Sequence, residues 1–361
     1  MKRLFAGTAA IVAAVLFLSC PAKAVSAQKA ILLDAETGRV LYEKRADEKS
    51  LIASTTKIMT ALIVCEQCNV LDRMRIPKEA VGIEGSSIYL QEGEILSLQE
   101  LLYGMMLHSG NDAATALAIY CGGTVEGFAA MMNDKARMLK LSGTHFVNPH
   151  GLDAPDHYST ARDLAILAQH AMENPIFAQT VSTKTVRVGQ RTFSNHNKLL
   201  WRVEGAEGIK TGYTRAAGRI LVSSAQRHGR RLIAVTIEDG NDWADHAALY
   251  EHGFDRFSIR QLVFKGQALG RLPVFGGVTE QVDVIAAEDF SYALMDDEQI
   301  RISLSQKNMA FAPTVEGGDA GFAYICIDNK VVGKIKVVYA QTVEQEPEKE
   351  KKNRWYHFFG E

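Results

Sequence analysis

Ala53-Ser54-Thr55-Thr56-Lys57-Ile58-Met59-Thr60 is the stretch on which the reading of this chain turns. Ser54 opens a helical pattern continued by Lys57, Ile58, Leu62 and Cys65. Positions three apart on a helix share a face, so a hydroxyl and an amine are held side by side. A lone S-x-x-K carries little weight, and Ser26-Ala27-Gln28-Lys29 is a second one. The weight comes from Ser109-Gly110-Asn111 and Lys210-Thr211-Gly212, which follow in that order. Together the three stretches supply a nucleophile with a nearby lysine, a polar bridging group and a cationic strand edge for an anionic substrate. The set reads as acyl transfer through a covalent serine ester.

The chemistry places demands on each residue. A lysine in water is protonated and useless as a base, so Lys57 needs desolvation and a second cation, for which Lys210 is the candidate. The helix N-terminus at Ser54 supports an anionic intermediate. Ser109 can pass protons between a base and a leaving amine, and the Asn111 amide can grip a peptide group. Lys210 and Thr211 suit a carboxylate while the strand backbone pairs with a peptide, and Gly212 leaves room for that approach. The ten histidines include no H-E-x-x-H, and no metal or other cofactor is expected. His145 and His150 flank the Asn148-Pro149 turn and read as structural, with a cleft-lining loop as the second reading.

Outward from the nucleophile the elements fall into place. Ala30-Ile31-Leu32-Leu33-Asp34 is an apolar strand, Ala35-Glu36-Thr37-Gly38 a turn, and Arg39-Val40-Leu41-Tyr42-Glu43 the returning strand. Helices are expected over 98–108, 111–120 and 160–172, the second stopped by Gly122-Gly123. Strands resume near Lys184-Thr185-Val186-Arg187-Val188, at Gly208-Ile209-Lys210-Thr211-Gly212, over 220–226 and over 231–238. Strands at both ends of a helical middle predict an α/β (α+β) domain, with helices packed on one antiparallel sheet. After about Phe257 the pattern becomes strand and turn, with a hairpin around Asp328-Asn329, and predicts a small all-β domain.

The chain of 361 residues has a formal charge of −2 and no basic stripe, so nucleic acid is not an expected partner. Lys2 and Arg3, an apolar run over 9–18 and the small residues Ala22, Ala24 and Ala27 read as a secretory leader. Val25-Ser26-Ala27 places the cut after Ala27, with a cut after Ala24 as the second reading; Cys20 raises a lipoprotein alternative that the spacing of Leu18 disfavours. The expected organisation is a leader over 1–27, a catalytic domain over 28–257, a β domain over 258–342 and a tail over 343–361. The product is secreted, to the cell wall or the outer membrane face. Lys349, Lys351, Lys352, Arg354, Trp355, Tyr356, Phe358 and Phe359 make the tail a candidate weak membrane anchor, opposed by Glu346, Glu348, Glu350 and Glu361. Cys65 and Cys68 form a C-x-x-C that, on one helix face, reads as buried thiols and not as a redox or metal pair.

The three motifs resemble those of penicillin-binding proteins and class A β-lactamases. Beyond them the chain is similar to the low-molecular-mass penicillin-binding proteins, the serine D-alanyl-D-alanine carboxypeptidases. The likeness runs through Ala30 to Gly38, Ala53 to Thr60, Thr144 to Asp153, His157 to Leu164 and Gly208 to Thr214, and extends over nearly the whole mature chain. It implies that Ser54 is acylated, Lys57 is the general base, and Ser109 and Asn111 complete the centre. Lys210 and Thr211 would hold the terminal carboxylate, and the backbone amides of Ser54 and Tyr213 would form the oxyanion hole. Peptidoglycan stem peptides would be the substrate and β-lactam antibiotics the inhibitors. Asp239 to His246 resembles the sporulation-associated branch. His196, within Asn195-His196-Asn197, stands near where some relatives carry an arginine linked to substrate binding, which shifts carboxylate recognition toward Lys210 and Thr211.

Three rivals are weaker. A class A β-lactamase needs a glutamate in an E-x-x-L-N pattern to hydrolyse its acyl-enzyme, and between Asn111 and Lys210 only Glu126 and Glu173 occur, neither followed by Leu-Asn at that spacing. A non-catalytic wall-binding protein would not need every motif side chain intact. An endopeptidase or transpeptidase acting on cross-links shares the same chemistry and is separated only by its products.

Overall fold

The computed structural model describes residues 25–305 and 309–347. Most of the expected leader and residues 348–361 of the expected tail therefore lie outside the described residues.

The first domain is built on a five-stranded antiparallel sheet. Its strands, in spatial order, are Val40–Lys44, Lys29–Asp34, Arg230–Ile237, Gly218–Arg227 and Ala206–Thr214. The N-terminal hairpin thus joins strands from two hundred residues later, as the apolar patterns predict. Alternation divides the strand residues between two cores. Ile31, Leu33, Val222, Ile233 and Val235 face the helical layer, while Ala30, Leu32, Leu221, Leu232 and Ala234 pack with Leu249 and Tyr250 of the Asp242–Arg256 helix.

The helical layer surrounds the Lys57–Gln67 helix, which is buried without a break from Lys57 to Cys65. A helix apolar all round belongs inside a larger core. The Leu98–Leu107 helix starts at a capping box between Ser97 and Glu100, and the Ala161–Glu173 helix starts where Thr160 accepts from the Asp163 N–H; each cap contributes about 1 kcal/mol. Asn111–Gly122 ends at Gly123, whose φ of 74° suits glycine. The strand at Thr185–Val188 forms, but it pairs with Arg191–Ser194 in a separate hairpin and not with the main sheet. The reason is visible in its exposure pattern, which leaves no fully buried face.

The reading of the cysteines needs correction. Cys68 is disulfide-bonded to Cys121, 53 residues away, while Cys65 and Cys326 are free and buried. Cys68 is the C-cap of its helix, with extended backbone, so it leaves the face it would have shared with Cys65. Closing a loop of that length is worth about 4 kcal/mol in the chain-entropy account.

The second domain begins as the Asp242–Arg256 helix ends. A six-stranded sheet runs Ile300–Leu304, Asp319–Ile327, Lys330–Tyr339, Gln281–Ala286, Ala268–Phe275 and Ala310–Phe311. Val263, Val282, Val284, Ile325, Ile335 and Val337 form its core. The expected hairpin turns at Asp328 and Asn329, both at positive φ, the geometry of a two-residue connection. Arg39 ties the two domains: it pairs with Glu298, donates to the Ala293 carbonyl, and lies over the rings of Phe257 and Tyr292. Val343 is buried and bonded to Thr314, and the Glu346 N–H donates to Gly276, so the chain stays on this domain through residue 346.

Candidate active site

A short 3-10 turn, Ala53–Thr56, leads into the Lys57–Gln67 helix and carries Ser54 at its mouth. Ala53 has φ 43°, a left-handed conformation that costs a non-glycine residue energy and recurs at functional sites. The Asn148–Gly151 turn presses against it. A Cβ on Gly151, at φ +89°, would stand 1.8 Å from the Ala53 carbonyl oxygen, so only glycine fits there. The turn also brings the His150 carbonyl to the lysine.

Lys57 Nζ donates to Ser54 Oγ at 3.0 Å, to Asn111 Oδ1 at 2.7 Å and to the His150 carbonyl at 2.6 Å. A neutral amine keeps two protons for Asn111 and the His150 carbonyl and turns its lone pair to the Ser54 hydroxyl. The amine is wholly buried, and its pKa falls well below the ordinary 10.5, first through burial and then through the charge of Lys210, with Asp112 opposing. Lys210, on the Ala206–Thr214 strand, is itself buried, donates to the Thr211 carbonyl at 3.1 Å, and is pushed by burial down to about 7. Lys57 thus approaches the condition of a base, and Lys210 is the charge that helps depress it.

Asn111 is a bracket as well as a partner. Its Nδ2 donates to the Glu84 carbonyl at 2.6 Å and its N–H to the Ser86 carbonyl at 2.7 Å. Asp112 accepts from the Ile88 and Leu90 N–H groups and the Ser87 hydroxyl. The start of the Asn111–Gly122 helix therefore holds the 84–90 loop over the cleft. Ser109 is buried with φ 64° and lines the same cleft. Gly212 lies against the nucleophile turn: a Cβ there would meet the Ile52 carbonyl and Thr55 at 3.2 Å. His157 accepts the Val147 N–H at Nδ1, which puts its proton on Nε2 facing the Thr56 hydroxyl at 2.8 Å. Burial holds His157 near 4 and His150 near 3, so both are neutral struts.

The cleft has a volume of about 350 Å³ and contains Ser54, Ser109, Thr211, Gly212 and the exposed Tyr213. With Lys57, Asn111 and Lys210 bonded or packed behind them, the residues singled out from the sequence converge on one place. The cleft adds residues that pattern alone did not mark: Ser86, Lys198, Arg219, Asp242 and Trp243. Arg219 pairs with Asp242 at 2.7 Å. His196 also lines the cleft and lies tilted against His108 with ring centres 4.9 Å apart; burial, then Lys210 and His108, lower its pKa. A second cleft of about 470 Å³ lies between Val40–Glu43 and the β domain, where Glu298 is already engaged by Arg39, and it lacks a nucleophile with a base. No cluster of metal-ligating side chains occurs among the described residues.

A serine hydroxyl set against a desolvated amine at the edge of an antiparallel sheet is a geometry suited to acyl transfer by serine. Comparison with known proteins gives the family. The D-alanyl-D-alanine carboxypeptidase family of peptidase S11 matches residues 18–241, and the C-terminal domain of penicillin-binding protein 5 matches residues 257–345. The chain belongs to the D-alanyl-D-alanine carboxypeptidase family, which is a family of serine hydrolases. It is 37% identical to the D-alanyl-D-alanine carboxypeptidase DacC of Escherichia coli K12, over 90% of this chain and 86% of that protein. It is 30% identical to DacF of Bacillus subtilis 168, over 88% of this chain and 86% of that one. Among solved structures, penicillin binding protein 5 from Haemophilus influenzae superposes with a TM-score of 0.77 at 28% identity, covering 89% of this chain and 98% of that chain.

Proposed function

We propose that Ser54 is the acylated residue and Lys57 its base in the removal of the terminal D-alanine from peptidoglycan stem pentapeptides. The observation that carries this is the 3.0 Å bond between Ser54 Oγ and a buried lysine amine whose pKa is strongly depressed. Family membership gives the reaction: a serine D-alanyl-D-alanine carboxypeptidase that also binds penicillin.

Ser54 Oγ attacks the carbonyl of the penultimate D-alanine and its proton passes to neutral Lys57. The backbone amides of Ser54 and Tyr213 receive the developing oxyanion. The tetrahedral intermediate collapses as the C–N bond breaks, and the leaving nitrogen takes a proton from Lys57 by way of Ser109. D-alanine departs. Water, deprotonated by Lys57, then attacks the ester and frees Ser54. Asn111 orients Lys57 and the peptide amide. Lys210 and Thr211 hold the terminal carboxylate, and Gly212 keeps the strand close enough to pair with the substrate.

β-Lactams take the same path as far as the ester. Between Asn111 and Lys210 no glutamate lies in the E-x-x-L-N pattern of a deacylating enzyme, so the penicilloyl enzyme persists. The leader directs export, so the enzyme works outside the cytoplasm, on the wall or the outer membrane face. The catalytic and β domains meet near residue 257, in keeping with the two matched regions. The basic and aromatic residues beyond 347 give weak membrane contact; loss of liposome co-sedimentation on deleting 348–361, with carboxypeptidase activity kept, tests that. No described helix is long and apolar enough to cross a membrane.

The deciding experiment is incubation with a stem pentapeptide ending in D-Ala-D-Ala and mass spectrometry of the products. Loss of one alanine residue supports the reading. An unchanged pentapeptide, or products joined to a second stem, contradicts it.

A further inference from the structure

Residues 25–27 pack into the catalytic domain. Val25 and Ala27 are buried and pack in the cluster that contains Ala30, Leu249 and Tyr250. Between them, the Ser26 N–H donates to Asp245 Oδ2 at 2.6 Å, the Ser26 hydroxyl bonds to Asp245 at 2.8 Å and Asp239 at 3.1 Å, and the Ala27 N–H reaches Asp245 at 3.2 Å. Lys44 Nζ donates to the carbonyls of Val25 at 3.2 Å and Ala27 at 2.6 Å. Lys44, Asp239 and Asp245 thus all bond to these three residues of chain.

Asp239 and Asp245 are both buried, and Asp239 Oδ2 accepts no hydrogen bond of ordinary geometry among the described residues. Thr236 lies close enough to bond Asp239, and burial and the Asp245 charge push the Asp239 carboxyl up, so the pair is a strained site that a cation would relieve. Lys44 is engaged with carbonyls, and Lys29 pairs with Glu238. The nitrogen of Val25 stands one residue from the Ser26 nitrogen that already bonds Asp245, within about 4 Å along the chain.

We propose that the leader is cut between Ala24 and Val25, and that the α-ammonium so created docks on the Asp239–Asp245 pair. Ala22-Lys23-Ala24 satisfies the small-residue requirement at both positions before that bond as well as Val25-Ser26-Ala27 does before the next. The protease hydrolyses the Ala24–Val25 amide with one water; the carboxylate leaves with the leader, and the amine remains on Val25. A cut after Ala27 would instead discard both buried apolar residues and every bond from Ser26 and Ala27 to the acid pair, leaving the pair without a donor from this segment.

The docking bears on the cleft. Asp239 and Asp245 bracket the start of the Asp242–Arg256 helix, where Asp242 grips Arg219 and Trp243 lines the cleft wall. The Asp239 N–H also donates to the Arg219 carbonyl at 3.1 Å. Removal of the leader therefore finishes one wall of the substrate cleft. This does not depend on which residue is acylated.

The test uses the full chain with its leader, produced in a bacterium and recovered from the exported fraction for N-terminal sequencing and intact mass. A Val25 start is expected; a start at Gln28, as glutamine or its cyclised form, or an intact leader would overturn the proposal. Docking is then read from chains prepared to begin at Val25, at acetylated Val25 and at Gln28. The acetylated and Gln28 forms should melt roughly 5 °C lower, a shift that Asp245→Asn should shrink. Equal melting of free and acetylated Val25 chains would overturn the ammonium contact.

Discussion

Replacing Lys210 with methionine should make the protein more stable while impairing catalysis. Lys210 is buried, and among the described residues its amine bonds only to the neighbouring Thr211 carbonyl. A fall in pKa from 10.5 to about 7 corresponds to about 5 kcal/mol, at about 1.4 kcal/mol per pH unit, charged against the folded state at low pH. Between those two values the unfolded chain holds more protons than the folded one, so wild-type stability rises with pH through that window and is lowest beneath it. Methionine is unbranched like lysine, one heavy atom shorter, and carries no charge. Allowing about 1 kcal/mol for the lost hydrogen bond, the variant should gain about 2–4 kcal/mol near pH 6.5. Removing Lys210 also relieves Lys57, whose protonation it opposes, and adds to the gain. Near pH 9.5 only about 1 kcal/mol of the wild-type penalty remains, so the gap should close by about 3 kcal/mol. Urea unfolding of both proteins across this range reads the gap directly. A gap that does not shrink with rising pH, or a variant less stable than wild type near pH 6.5, would refute the account of Lys210 as a cation held in place against its own solvation.

Two further outcomes follow from the same geometry. Lys210→Ala removes a charge that lowers the Lys57 pKa, so the acidic limb of the kcat/KM profile for acylation should move to higher pH; an unmoved limb would separate the two lysines. Gly151→Ala drives a Cβ to 1.8 Å from the Ala53 carbonyl and forces alanine to φ +89°, so penicillin acylation should slow by about 100-fold or more through a displaced nucleophile, while an unchanged rate would show that the turn does not set the position of Ser54.

The sequence was most legible where one periodicity served one purpose. The strand at Lys29–Asp34, the capped helices and the Asp328-Asn329 hairpin follow from alternation, caps and turn residues. The site was legible because Ser54 and Lys57 are three residues apart where a 3-10 turn runs straight into a helix, and because the other two motifs sit at the start of a helix and along a strand. What escaped depended on distant partners. The Val125–Met138 helix buries only Phe128, Ala129, Met132 and Ala136 and includes Gly127, so its pattern is faint. Cys68 is drawn out of its helix to meet Cys121. The cleft residues Arg219, Asp242 and Trp243 gain meaning only when the sheet places the strand and the helix start together. The role of Gly151 is a close approach across about a hundred residues that no local pattern records.

The central claim is that Ser54 is the residue that becomes acylated, with Lys57 as its base. The most direct test is to treat the purified enzyme with penicillin, digest it, and locate the covalent adduct by mass spectrometry. The account predicts one adduct, on the peptide containing Ser54, absent from Ser54→Ala, which should keep its fold at a cost of about 1 kcal/mol or less. An adduct on Ser109 or any other residue, or undiminished labelling of Ser54→Ala, would contradict it.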